Sequence, residues 1–167
     1  MNSQLFQRQQ TLKQQLTSEN LTAILLLGHE NIRYLSGFSG NAAYAIVTQT
    51  SCVLITDYRY FERAQAECHG FEVISRDRDN ESLGDCINRF LPANSRLGFD
   101  AAFINVALWQ QVANDLSGHT LLSIQGLVER QRMVKTEWEV TQIKADAAIA
   151  NAAFAQTWHL NTTDAAD

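Results

Sequence analysis

Leu21 to Leu27 is an almost continuous apolar run that ends at Gly28, and it constrains the fold more than any other stretch of the chain. A strand with one wet face alternates apolar and polar residues. A run without that alternation predicts a strand covered on both faces. Other elements must therefore lie on either side of the sheet that contains it.

The rest of the sequence supplies them. Residues 4–17 read as a polar first helix with Leu5, Leu12 and Leu16 on one side. Ala42 to Val47 and Cys52 to Ile55 are short strands joined by Thr48-Gln49-Thr50-Ser51, a link short enough to predict an antiparallel hairpin. Asp57 then caps a helix with Phe61, Ala64 and Cys68 on one face. Phe71 to Ile74 is a further strand. Asn80 is expected to cap a helix carrying Leu83, Cys86, Ile87, Phe90 and Leu91, with Pro92 as its stop. After a strand at Arg96 to Phe99, Asn105 caps a helix with Leu108, Trp109, Val112, Ala113 and Leu116. Ile104 and Trp109 stand at hydrophobic-staple positions around that cap. Leu121 to Ile124 is the last strand. Strands alternating with helices predict an α/β domain with helices on both faces, and the early hairpin makes its sheet mixed rather than wholly parallel.

The C-terminal segment differs. Thr136 and Glu139 form a capping box, after which Val140, Ile143, Ala147, Ala150, Phe154 and Trp158 recur at spacings of three and four. This predicts an amphipathic helix of about six turns. With only a short polar tail to Asp167 beyond it, its stripe of Ile143, Phe154 and Trp158 is expected to be covered by another chain, because monomers seldom expose large apolar patches. The expected division is a domain over residues 1–131, then a linker and the first helix of a further domain over 132–167.

Composition narrows the function classes. A chain of 167 residues buries roughly 70% of its unfolded surface, enough for a core without staples. The formal net charge is −5 and the basic residues are scattered, the densest group being Arg130, Arg132 and Lys135. That argues against nucleic-acid binding. Cys52, Cys68 and Cys86 are odd in number and set among apolar neighbours, which favours free thiols over disulfides. The amino terminus has no basic-then-apolar signal pattern, and no apolar run approaches the roughly 20 residues that span a bilayer. A cytoplasmic location is expected, where the sequon at Asn161-Thr162-Thr163 would have no use.

Hydrolytic chemistry is hard to assemble from these residues. His29, His69, His119 and His159 are isolated, with no paired spacing and no acidic partner at helical spacing, so no metal site is expected in this segment. Gly37-Phe38-Ser39-Gly40 fails the nucleophile-elbow pattern because its second glycine comes one residue early. Cys68 and His69 are sequence neighbours that point in different directions. Asp57, Asp77, Asp79 and Asp100 could form a nuclease-like carboxylate cluster, but the acidic surface opposes phosphate binding.

What remains is a pair of polar-aromatic segments at strand ends: Tyr34-Leu35-Ser36-Gly37-Phe38-Ser39-Gly40-Asn41, and Asp57-Tyr58-Arg59-Tyr60 with Ala64 behind it. Tyr34 and Leu35 read as inward-packed residues of a strand-connecting loop. Arg59, placed early in a helix, stands against the dipole and asks for a carboxylate, either within the domain or on a substrate or neighbouring subunit. The order YLSGF, strand, DYRY resembles the amino-terminal domain of the creatinase and Xaa-Pro peptidase family, which includes prolidases and aminopeptidases P. Arg132-Met133-Val134-Lys135-Thr136-Glu137-Trp138-Glu139 is similar to that family's junction, where an Arg-x-x-Lys-Thr/Ser-x-x-Glu run opens the catalytic domain.

The resemblance spans roughly residues 20–160. It implies a ribonuclease-H-like fold and a non-catalytic domain that serves dimerisation and pocket shaping in a proline-specific metallopeptidase. It further implies two divalent cations (Mn, Co or Zn) in a downstream catalytic domain, short proline-containing peptides as substrates and a homodimer. Phe38, Ser39, Gly40, Asn41, Arg59 and Tyr60 are then the candidate substrate-pocket or dimer-contact residues, with no catalytic residue among them. Asn41 and Tyr44 depart from the residues common in relatives, Ser and a small residue, so the pocket should differ in shape. A stand-alone interaction module and the amino-terminal domain of a creatinase-type amidinohydrolase are the alternatives.

Overall fold

The computed structural model describes residues 2–163. In chain order its elements are α1 (Asn2–Ser18), β1 (Ala23–Leu26), α2 (His29–Ser36), β2 (Ala43–Thr48), β3 (Cys52–Thr56), α3 (Tyr58–Glu67) and β4 (Glu72–Ser75). They continue as α4 (Leu83–Asn88), β5 (Arg96–Asp100), α5 (Val106–Asp115), β6 (Thr120–Ile124), α6 (Leu127–Met133) and α7 (Glu137–Thr163). The chain divides into two compact units between Gln131 and Arg132. The side chains of His159 and of the Asn161–Thr163 sequon, and the tail to Asp167, lie outside the described residues.

The strands form one six-stranded sheet in the order β4-β3-β2-β1-β5-β6. Strand β2 is antiparallel to both β1 and β3, while β1–β5, β3–β4 and β5–β6 are parallel. The sheet is therefore mixed, as the hairpin required. Setting aside the edge strand β4, an order of 3-2-1-5-6 with its second strand reversed is the ribonuclease-H-like arrangement. Because β2 alone runs backwards, its amino end lies beside the carboxyl ends of its neighbours. The segments around residues 37–42, 57–60, 76–82 and 101–105 accordingly emerge at the same edge.

Strand β1 is buried on both faces, and its side chains divide between two cores by the period of two. Ile24 and Leu26 join Leu12, Leu16, Ile32, Leu35, Phe38, Ala64, Leu127 and Val128 beneath α1, α2, α3 and α6. Ala23 and Leu25 join Leu83, Cys86, Ile87, Leu97, Val112 and Leu116 beneath α4 and α5. Phe99 and Trp109 stack at 4.3 Å on the second face. Each fully buried aliphatic side chain contributes about 1.5–3 kcal/mol, so the two faces together supply most of the folding drive. Cys52, Cys68 and Cys86 are free thiols, Cys68 only half-buried. Burial pushes Cys68 and Cys86 up to about 11.

The capping residues set the helix boundaries. Asp57 Oδ1 accepts the Arg59 amide at the head of α3, and Asn105 caps α5 through the Leu108 amide. Two local expectations need correction. Helix α4 is capped by Ser82, whose Oγ accepts the Asp85 amide and donates to Asp115 Oδ2 at 2.8 Å. Asn80 instead donates to Asp77 Oδ2, closing the turn before it. Tyr34-Leu35-Ser36, expected in a loop, form the last turn of α2. Gly37 takes φ +87° there and returns its amide to the Arg33 carbonyl, as a helix C-cap requires. Polar side chains secure this end. Gln9, buried on α1, donates to the Leu35 and His69 carbonyls. Asn31, buried on α2, bridges Asp100 at 3.0 Å and Glu129 at 2.6 Å. Burial, with Glu129 nearby, raises the Asp100 carboxyl above its ordinary range.

In the second unit, Thr136 and Glu139 form the reciprocal capping box at the head of α7: each backbone amide meets the other's side chain. The helix is longer than expected, 27 residues or about seven turns. Val140, Ile143, Phe154 and Trp158 are exposed along it, and so are Trp138 and Ile149, roughly half a turn around from that stripe. It is apolar on more than one side rather than amphipathic. Among the described residues no helix is long and apolar enough to cross a membrane.

Gly84 marks the tightest helix contact: a β-carbon there would overlap Asp115 Cβ on α5. Gly84→Ala should therefore destabilise the domain by about 1–3 kcal/mol by forcing α4 and α5 apart. Urea unfolding reads this directly, and unchanged stability would show that the two helices can separate freely.

Candidate functional site

The edge at the carboxyl ends of β1, β3, β4 and β5 brings together polar and aromatic side chains from the 37–42 loop, α3 and the 76–82 and 101–105 segments. Two neighbouring parts can be distinguished, a latched loop over residues 37–42 and a cleft beside it.

The loop begins from the α2 C-cap. Ser36, buried in α2, donates its hydroxyl to the Ile32 carbonyl and accepts the Phe38 amide, which turns the chain inward. Phe38 is 0% exposed, packed in the core with its ring edge-on to Tyr60 at 6.3 Å. It shapes the loop from beneath and does not offer a surface to a ligand. Gly40 lies on that ring, where a β-carbon would overlap it. Ser39 turns toward α3: its amide and hydroxyl both donate to Glu67 Oε2, at 2.8 and 2.7 Å. Arg63 donates Nε to Glu67 Oε1 at 2.8 Å, and its Nη2 donates to Ser39 Oγ. Asn41 Oδ1 accepts the Tyr60 hydroxyl at 3.0 Å, and the Ala42 carbonyl accepts from Thr56 Oγ1.

Arg59 finds its carboxylate within the domain. Its Nε and Nη2 reach Asp57 Oδ1 and Oδ2 at 3.1 and 2.7 Å, folding the guanidinium back over the residue that caps its own helix. Neutralised this way, it is relieved of the unfavourable helix dipole. The Arg59 hydrogen bonds hold the buried Asp57 carboxyl below its usual range. The guanidinium also lies 5.8 Å from the Tyr60 ring centroid. Phe38, Asn41, Arg59 and Tyr60 thus form one contiguous group, with Gly40 against it. Ser39 belongs to a separate network with Arg63 and Glu67.

Beside the loop is a cavity of about 290 Å³. Leu27, Tyr44, Ile55, Phe103 and Leu108 line its apolar side, and Asn41, Thr56, Asp57, Arg76, Arg78 and Asn105 supply polar groups. Sequence reading missed Arg63, Glu67, Arg76, Arg78 and Phe103. Arg76-Asp77-Arg78-Asp79 looks like a solvated charged turn, and only the strand register of β4 places its arginines at the cleft. The i, i+4 spacing of Arg63 and Glu67 was a readable signal for their ion pair. Among the described residues no three His, Cys, Asp or Glu side chains converge to hold a metal ion.

The Glu67 network makes a pH prediction. Hydrogen bonds from Arg63 first, then the Ser39 amide, lower the Glu67 carboxyl from 4.5 to about 2. A carboxyl depressed on folding contributes stability that is complete above its unfolded value and is lost as pH falls toward the folded one. Solvent screening at this partly exposed pair holds the contribution to about 1 kcal/mol. Glu67→Gln should lower neutral-pH stability by about that amount and flatten the decline between about pH 4.5 and 2. Urea titrations stepped through that range would refute this if both proteins fell equally.

Residues 8–134 match the Creatinase/Prolidase N-terminal domain family. The Bacillus subtilis protein called uncharacterized peptidase YqhT is 28% identical over 135 residues, 80% of this chain and 38% of that protein. A crystal structure of an Xaa-Pro aminopeptidase from Streptococcus pyogenes is 33% identical with a TM-score of 0.69, covering 78% of this chain and 98% of that one. The Caenorhabditis elegans X-prolyl aminopeptidase, described as a cytosolic enzyme with a di-nuclear active site, is 25% identical with a TM-score of 0.65, covering 75% of this chain and 25% of that one. The chain spans well under half the length of the curated relatives it matches. With the family match running from α1 past the last strand, the chain belongs to the creatinase/prolidase N-terminal domain family.

Proposed function

We infer that this chain is the non-catalytic amino-terminal domain of an Xaa-Pro dipeptidase or aminopeptidase, and that it serves dimerisation and shapes the peptide pocket. The observation that carries the reading is the pre-formed 37–42 loop, on a domain whose relatives are Xaa-Pro peptidases. Glu67 and Arg63 engage the Ser39 amide and hydroxyl, and Tyr60 and Thr56 donate to the Asn41 and Ala42 carbonyl oxygens, so it needs little ordering when another surface meets it. A wall that excludes long peptides requires that kind of rigidity.

Hydrolysis in this reading belongs to a domain beyond Arg132 that holds two divalent cations (Mn, Co or Zn); the worm relative is described as having a di-nuclear active site. The described residues here do not fit such a pair, and no step of peptide cleavage is assigned to them. Association is supported by α7, where Trp138, Ile143, Ile149, Phe154 and Trp158 are exposed. Apolar surface of that extent favours burial against a further domain or a second copy in a homodimer. A cytoplasmic location follows the same resemblance.

The division of labour has a direct assay. The 167-residue chain supplied with manganese or cobalt should hydrolyse no Xaa-Pro dipeptide. In a protein that continues into a metal-binding domain, Asn41→Ala or Tyr60→Phe should raise KM several-fold while leaving metal content unchanged. Turnover by the short chain alone overturns the reading, as would a loop variant with wild-type kinetics.

A further inference from the structure

We propose that the cavity beside the 37–42 loop binds a small organic carboxylate with an apolar or aromatic body, its charge held by Arg78 and Arg76. The site adjoins the latched loop and shares Asn41 with it, but the assignment does not depend on the peptidase reading.

The chain is acidic, at −5, yet Arg76 and Arg78 line this cleft and Arg59 stands in the adjoining groove. Asp57 is the one carboxylate in the cavity wall, and both of its oxygens are engaged by Arg59. Arg78 approaches Asp57 only at 3.6 Å and is 62% exposed. Arg76 uses one terminal nitrogen on the Glu81 carbonyl, at 2.6 Å. The other nearby acids are occupied or lie outside the cavity. Asp77 accepts from the Asp79 amide and from Asn80; Glu81 pairs with Arg89; Asp77 and Asp79 face the outer groove. From α5 and its cap come only Asn105 and Leu108. Arg76 and Arg78 thus share a single lining carboxylate, Asp57, that Arg59 already holds, which leaves a net positive charge at the mouth of a partly enclosed space.

Ligand class follows from the lining. Leu27, Ile55 and the Tyr44 and Phe103 rings give an otherwise polar cavity one apolar side. Phe103 is 42% exposed, with its ring set against Gly28. At about 290 Å³ the space is at the small end of ligand pockets, which are mostly apolar with a few placed polar groups. A guanidinium fork matches a carboxylate, and a ring slot matches a flat apolar group. Inorganic phosphate would satisfy the cations and leave the apolar surface uncovered. A free aromatic acid and the carboxyl end of a peptide share the required chemistry.

The test is a ¹H–¹⁵N NMR titration of the full chain with phenylacetate. Saturable shifts at Asn41, Tyr44, Thr56 and Asn105 are expected, with Kd on the order of 1 mM. Phenylacetamide, of the same shape without the charge, should bind at least about tenfold more weakly, and Arg78→Gln should weaken phenylacetate by about the same factor. Titrations with Gly-Phe and its C-terminal amide separate the sources. Tighter binding of Gly-Phe, lost on amidation, identifies a peptide end; tighter binding of phenylacetate identifies a free acid. Equal binding of phenylacetate and phenylacetamide overturns the proposal, as do shifts confined to other regions. Inorganic phosphate binding as tightly as phenylacetate overturns it too. If Arg78→Gln disturbs the fold, the phenylacetate–phenylacetamide comparison on the unaltered protein still decides.

Discussion

Strand β1 is the constraint on which the rest of the domain depends. It is paired on both edges, antiparallel to β2 and parallel to β5, and buried on both faces. Four consecutive apolar residues with no wet side oblige the chain to place helices above and below. The first core forms under α1, α2, α3 and α6, the second under α4 and α5. Reversal of β2 has the functional consequence. Had β2 been parallel, its amino end would lie at the opposite edge, away from Asp57 and Arg76. The hairpin instead brings Ala43 and Tyr44 to the edge where β1, β3 and β5 end.

Much of this was legible because it depends on period and on caps. Alternation, the short hairpin link and the Asp57, Asn105 and Thr136–Glu139 caps are local features that tertiary packing reinforced. The failures share a physical cause. Helix α2 has eight residues, too few for a clear period, and its N-cap Gly28 has no side chain to announce it. The signal was at the other end: a glycine followed by an apolar residue is a C-cap signature, and Gly37-Phe38 is one. Asn80 and Ser82 are both good caps, and only the contact of Ser82 with Asp115, far along the chain, selects between them. Buried Gln9 and Asn31 read as polar surface because their partners, such as Leu35 and Asp100, are distant in sequence.

The candidate site was legible in its membership more than in its roles. Phe38, Asn41, Arg59 and Tyr60 do assemble, yet Phe38 packs inward and Arg59 answers an internal carboxylate. These roles are set by direction, which sequence spacing at loops does not encode. Arg76 and Arg78 escaped notice for a related reason. Two residues apart at the end of a strand, they share a side of the chain, but interleaved aspartates give the segment a neutral, solvated look.

The two parts of this edge represent opposite uses of charge. In the latch, every formal charge has a close partner: Arg63 with Glu67, Arg59 with Asp57. Such pairs contribute little net stability at a surface, about 0–1 kcal/mol each, so their effect is to fix geometry. Fixing Arg59 onto Asp57 also determines what the cleft can do. With Arg59 absent, Arg78, already 3.6 Å from Asp57, would be the nearest cation to that carboxylate and the charge left for a ligand would be smaller. With Arg59 engaged, the same carboxylate is held from the helix side, and Arg76 and Arg78 are left lining the cavity beside it. The cap that starts α3 therefore sets the electrostatic character of the neighbouring cleft. Local helix chemistry and the field of the cavity are coupled through one buried aspartate.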